Sequence, residues 1–179
     1  MIAGLGIAVI VAVMITFLYT TKSHSPASVA SFDKDGLKIE VTYNSPLKRG
    51  RKIFGGLVPY GKTWRTGANE PTVFETNKPL QIAGKVLKPG RYSLWTVPNE
   101  DSWQVIFNTE IPTWGINVLK HGVASRDEET DALVVEVPVM TSEKEFEKFI
   151  ISIDHADDML ELVLAWDQTL VAVPFSVSE

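Results

Sequence analysis

Leu37-Lys38-Ile39-Glu40-Val41-Thr42-Tyr43 alternates apolar and polar residues without a break. Leu37, Ile39, Val41 and Tyr43 fall on one side, Lys38, Glu40 and Thr42 on the other. A period of two belongs to extended backbone, whose successive side chains point to opposite faces. One buried face and one wet face are typical of an antiparallel sheet.

The same reading extends along the chain. Thr72 to Thr76 is rich in β-formers and follows Pro71. Leu80 to Ile82 and Lys85 to Leu87 flank Ala83-Gly84, a hairpin turn, and Lys88-Pro89-Gly90 is a second turn. Arg91 to Val97 and Trp103 to Asn108 flank a polar five-residue loop. Asp131 to Val139, Phe146 to Ile153, Met159 to Trp166 and Leu170 to Phe175 supply the rest, with a turn at Asp167-Gln168. Glu143 to Phe149 has room for one helical turn, but no long amphipathic helix and no internal repeat is present. Nine or ten short strands at this spacing predict an all-β fold, an antiparallel β-sandwich or jelly-roll-like domain.

The chain begins differently. Ile2 to Tyr19 is 18 residues without a charge. At about 1.5 Å per residue it spans roughly 27 Å as a helix, close to the hydrocarbon thickness of a bilayer. The expected organisation is an N-terminal transmembrane anchor over 1–21, a flexible linker over 22–35 that holds the domain off the membrane, and a β-sandwich over 36–179. A cleaved signal peptide is the competing reading, with a small-residue site at Ser28-Val29-Ala30. Lys22 is the one nearby basic residue, so charge hardly encodes orientation.

Composition removes several classes of function. There is no cysteine, hence no disulfide, thiolate metal site or cysteine nucleophile. From Ser31 to Asn99 there are 12 Lys/Arg against 5 Asp/Glu, and from Glu100 to Glu179 4 against 17. Such asymmetry fits internal charge pairing, or a basic rim suited to an anionic ligand. Nucleic acid is not expected as a partner, because the chain is acidic overall and has no basic helix to enter a groove. Asp154-His155-Ala156-Asp157-Asp158 reads as a turn between strands, and His24 and His121 as linker and loop residues. No metal, cofactor or nucleophile signature is found.

Ser45 to Thr72 fits neither helix nor strand. It holds five glycines, three prolines, six basic residues and one acid, Glu70. It also holds Ile53, Phe54, Leu57, Val58, Tyr60 and Trp64, which are too apolar for a disordered segment. An ordered loop presenting basic groups is expected. Trp64, and Trp114 in a second loop, are placed to stack on a planar ligand, and a neighbouring guanidinium to hold its anion.

The string Gly50-Arg51-Lys52-Ile53-Phe54-Gly55-Gly56-Leu57-Val58-Pro59-Tyr60-Gly61, followed by Trp64-Arg65-Thr66-Gly67-Ala68-Asn69, resembles the hallmark of domain-of-unknown-function family 2911. Ser45-Pro46, Pro89-Gly90-Arg91-Tyr92-Ser93-Leu94, Trp114-Gly115 and Trp166 resemble its pattern too, whereas Ile116-Asn117 departs from it. The resemblance implies a bacterial, exported or membrane-anchored β domain, hence a periplasmic or otherwise extracytoplasmic one, and implies no reaction. Three readings follow. The first is a ligand-binding module for an anionic or carbohydrate-like ligand, held by Arg51, Trp64, Arg65, Asn69 and Trp114. The second is an envelope hydrolase using carboxylates such as Glu70, Asp101 or Asp127. The third is a structural envelope protein whose loop closes one end of the sandwich.

Overall fold

β1 (Ala27–Lys34) and β2 (Leu37–Asn44) pair in register from Ala27 opposite Asn44 to Lys34 opposite Leu37. Their two-residue turn, Asp35-Gly36, has φ of 53° and 74°. Positive φ at both central residues matches the twist of the flanking strands and favours Asp-Gly. The computed structural model describes residues 24–117, 122–156 and 159–178. The expected anchor helix lies outside them; no helix among the described residues is long and apolar enough to cross a membrane.

The chain continues through β3 (Thr72–Thr76), β4 (Leu80–Ile82), β5 (Lys85–Leu87), β6 (Gly90–Pro98) and β7 (Ser102–Asn108). The two-residue strands β8 (Ile116–Asn117) and β9 (Val123–Ala124) pair only with each other. β10 (Asp131–Ala156) and β11 (Met159–Val177) complete the domain. Nine strands form one antiparallel sheet in the order β1-β2-β3-β6-β7-β10-β11-β4-β5. The all-β, antiparallel expectation holds.

β10 is what turns this sheet into two facing layers. Its first part, Asp131–Pro138, pairs with β7, and from Val139 onward it pairs with β11. The β10–β11 register slips between Thr141 and Phe146 and again between Phe146 and Ile150. Extra residues on one strand of a pair bend it and increase its twist. The bend brings the far part of β10 over β2, where the buried Tyr43 hydroxyl accepts a hydrogen bond from the Ile151 amide at 3.1 Å. Both layers point their apolar residues inward into one core. It contains Leu37, Ile39 and Val41 of β2, Phe74 of β3, Leu94 and Phe107 of β6 and β7, and Leu162, Leu164 and Val173 of β11.

Three expectations are corrected here. The linker expected over 22–35 contains β1, because the small residues of Ala27–Lys34 lie at a sheet edge that needs no bulky apolar face. The strands expected at Asp131 to Val139 and Phe146 to Ile153 are one continuous strand. Bulges, rather than a turn or the one-turn helix allowed at Glu143 to Phe149, absorb the break in alternation. Asp167-Gln168 lies within β11, where Asp167 takes a φ of 56° opposite Phe146.

Candidate ligand-binding cleft

The loop from Ser45 to Thr72 is ordered by its own apolar residues, as expected. Ile53, Phe54 and Val58 are buried. The Leu57 and Val58 amides return to the Lys52 and Ile53 carbonyls at 3.0 and 2.9 Å, closing a tight turn. Gly55 has φ 72°, and a Cβ there would meet the Tyr60 ring at 2.7 Å, so the turn requires glycine. Farther on, Trp64 exchanges backbone hydrogen bonds with Thr96 of β6 at 2.7 and 3.0 Å. The Thr66 and Thr96 hydroxyls meet at 3.2 Å, and the Thr72 hydroxyl donates to the Thr66 carbonyl at 2.6 Å.

An aromatic cluster fixes the loop to the core. Phe54 lies 4.7 Å from Trp103, and Trp64 lies 5.0 Å from Phe149 and 5.9 Å from Trp166, between ring centroids. Mostly edge-to-face pairs of this kind add stability beyond the area they bury.

Between this loop and the β8–β9 segment is a cleft of about 410 Å3. Pro46, Leu57, Val58 and Pro59 form an apolar wall, Arg49, Arg51, Lys62 and Arg65 bring positive charge, and Asn69 and Trp166 also line it. His24 and Ser25, the first described residues, reach it as well. No Asp or Glu is among the described residues that line it.

Four buried side-chain nitrogens have no hydrogen-bond partner among the described residues: Arg65 Nε, Asn69 Nδ2, Trp103 Nε1 and Trp166 Nε1. Arg65, Asn69 and Trp166 all line this cleft. A buried donor left unpaired costs about 1–3 kcal/mol, more when charged, so native structures rarely leave several together. Burial lowers the Arg65 guanidinium from its ordinary value, and no acidic group among the described residues offsets it. A guanidinium nevertheless stays charged across the ordinary pH range. The contrast with Arg126 is direct. Arg126 is also partly buried, but its Nε donates to Asp131 Oδ1 at 3.0 Å and its Nη2 to Oδ2. These bonds hold its pKa above the ordinary value. Arg126 is neutralised by Asp131, whereas among the described residues Arg65 has no ion pair.

The residues named from sequence separate into groups. Arg65 and Asn69 lie together in the cleft wall, and Asn69 is 3% exposed. Arg51 lines the cleft too, and its guanidinium is oriented by its own turn, with Nε and Nη2 donating to the Lys48 and Leu47 carbonyls at 3.0 and 2.5 Å. Trp64 presents only part of its surface, its ring packed in the aromatic cluster and its Nε1 donating to the Gly67 carbonyl at 3.0 Å. Trp114 is absent from the lining; its neighbour Gly115 instead packs against Arg65. Sequence reasoning missed Trp166, which reads as ordinary core in an alternating strand, and Arg49 and Lys62, which are anonymous among six basic loop residues.

The carboxylates considered for hydrolysis lie elsewhere. Asp127 accepts from the Glu129 amide at 3.0 Å and caps a short 3-10 turn. Asp101 is exposed in the β6–β7 turn, where its carbonyl accepts from the Val139 amide. Glu70 accepts from Asn44 Nδ2 at 3.1 Å beside a separate depression along β1 and β2.

No curated protein and no solved structure matches this chain. Residues 25–175 match the family described as "Protein of unknown function (DUF2911)", and the chain belongs to that family.

Proposed function

We propose that the domain is a ligand-binding module that takes an anion in the cleft, with Arg65 and Asn69 as its central donors. The reading rests on one observation: three of the four unpaired buried donors among the described residues belong to side chains that line one cleft, and no carboxylate is among the described residues lining it. Arg65 offers a planar fork suited to a carboxylate or phosphate. Asn69 Nδ2 and Trp166 Nε1 add neutral N–H donors, and Arg49 and Lys62 raise the local positive potential. A neutral sugar fits less well, since its hydroxyls need acceptors as often as donors. The hydrolase reading lacks its chemistry here: two carboxyl groups flanking a groove are needed, and the described lining has none. The 18-residue apolar run Ile2 to Tyr19 supports a membrane-anchored placement for the domain, and the family resemblance alone suggests the extracytoplasmic side.

Thermal unfolding in increasing inorganic phosphate or sulfate tests this. The wild-type midpoint should rise with anion concentration, as expected when a ligand binds only the folded state. Arg65→Ala should remove that rise. Arg91→Ala, which removes an exposed cation paired with Glu75 on β3, should keep it. An equal response in all three proteins would reduce the effect to general salt action and end the proposal.

A further inference from the structure

We infer that the anion bound in this cleft is the phosphate of an anionic phospholipid in the membrane that holds the chain's own N-terminal run. This rests on the anion-binding and anchoring readings above and names the source of the anion.

The first observation is covalent. β1 begins at Ala27, so most of the expected linker belongs to the sheet, and His24 and Ser25 already line the cleft. The apolar run ends at Tyr19, which leaves Thr20 to Ser23 as the only residues before His24. Five Cα steps span at most about 17 Å. A domain anchored through that run therefore cannot carry the cleft far from the lipid surface.

The second observation is the surface beside the cleft. Leu57 on the cleft wall and Tyr60 next to it in the loop are 47% and 36% exposed. They are interleaved with exposed Arg49, Lys52 and Lys62. Aromatic and aliphatic groups among basic residues suit the headgroup level of a bilayer, and each Lys or Arg near an anionic surface contributes about 1 kcal/mol.

The third observation is the division of the cleft itself. Arg65, Asn69 and Trp166 on the cleft wall bring N–H groups that suit phosphate oxygens, while Pro46, Leu57 and Val58 suit the glycerol and upper acyl segments. A free inorganic anion would use the donors and leave the apolar wall idle. A phospholipid uses both.

The test uses the full chain in phosphate-free maltoside micelles, with thermal unfolding followed by near-UV circular dichroism. Three probes are titrated: phosphatidylglycerol within the micelle, diacylglycerol with the same tails but no phosphate, and free inorganic phosphate. Phosphatidylglycerol should protect at a bulk concentration about a hundredfold below that of free phosphate, because the anchor confines it near the cleft. Diacylglycerol should not protect. Inserting twenty Gly/Ser residues between Ser23 and His24 should weaken lipid protection by about tenfold and leave the phosphate response unchanged. Arg65→Ala should lose both responses; if it does not fold, Arg65→Lys, which keeps the charge but not the fork, should weaken both.

Protection by free phosphate without protection by phosphatidylglycerol overturns the lipid assignment and leaves the anion site standing. Absence of both responses removes both. Equal protection by diacylglycerol, or lipid protection that survives Arg65→Ala, shows that the headgroup phosphate is not what the cleft binds.

Discussion

Gly115 lies so close to Arg65 that a Cβ on it would fall 2.2 Å from the Arg65 Cδ and 2.9 Å from its Cβ. The bare backbone of Gly115 forms a platform over which the stem of Arg65 runs into the cleft. No rotation of the guanidinium alone relieves a contact with the root of the side chain.

Gly115→Ala should therefore displace Arg65. Overpacking of this kind costs about 1–3 kcal/mol. The added signature is functional: anion-induced stabilisation should fall with the stability. Thermal unfolding with and without phosphate separates the two effects. An unchanged phosphate response in Gly115→Ala would show that the position of Arg65 does not matter for binding.

Tyr43→Phe should loosen the contact between layers. The Tyr43 hydroxyl accepts from the Ile151 amide at 3.1 Å, just beyond the bulged stretch of β10. Leaving that buried amide without an acceptor should cost about 1–3 kcal/mol. Urea denaturation should show a lower midpoint with an unchanged slope.

Phe54→Ala should cost about 3–5 kcal/mol, as aromatic-to-alanine changes in packed cores do. Phe54 is 7% exposed and meets Trp64, Trp103 and Trp166 at 6.0, 4.7 and 6.2 Å. Near-UV circular dichroism should lose tryptophan signal together with stability. A loss below about 1 kcal/mol, within the ordinary range of surface substitutions, would mean that the loop is fastened elsewhere.

Lys48 provides a pH-dependent prediction. Its ammonium donates to Asp167 at 2.7 Å and to Glu145 at 2.8 Å, and these bonds raise its pKa above the ordinary 10.5. A base whose pKa is raised by folding contributes stability that is fully present below its unfolded value. That contribution is lost as pH rises through the folded value. Lys48→Met should be less stable than wild type at pH 7 to 9, and the gap should close at pH above 10.5. Paired thermal melts across that range provide the comparison.

The class of the fold was legible because alternation is a local signal. Leu37 to Tyr43 and Trp103 to Asn108 carry it in consecutive residues. The Asp35-Gly36 turn was equally local, yet β1 went unread because Ala27, Ser28, Ala30 and Ser31 resemble a linker in composition. The continuity of β10 could not be read at all. Its bulges break the phase of the alternation, and the partners of Glu143 to Phe149 lie far away in sequence, Asp167 in β11 and Pro46 to Lys48 in the loop after β2. For the cleft, the family string marked Arg65 and Asn69 but not their surroundings. Trp166 arrives from the opposite end of the chain, and the unpaired state of Arg65 Nε among the described residues is a property of space, not of sequence.

β10 also determines how the domain fails. Because one strand runs through both layers, neither sheet ends at a seam where it can detach while the other persists. Hydrogen exchange from Leu133 in the first layer and from Ile151 in the second should thus be limited by the same opening event. A lesion at the bend should be communicated to both halves at once, so unfolding is expected to be all-or-none where a sandwich of two separate sheets would have an intermediate to fall into.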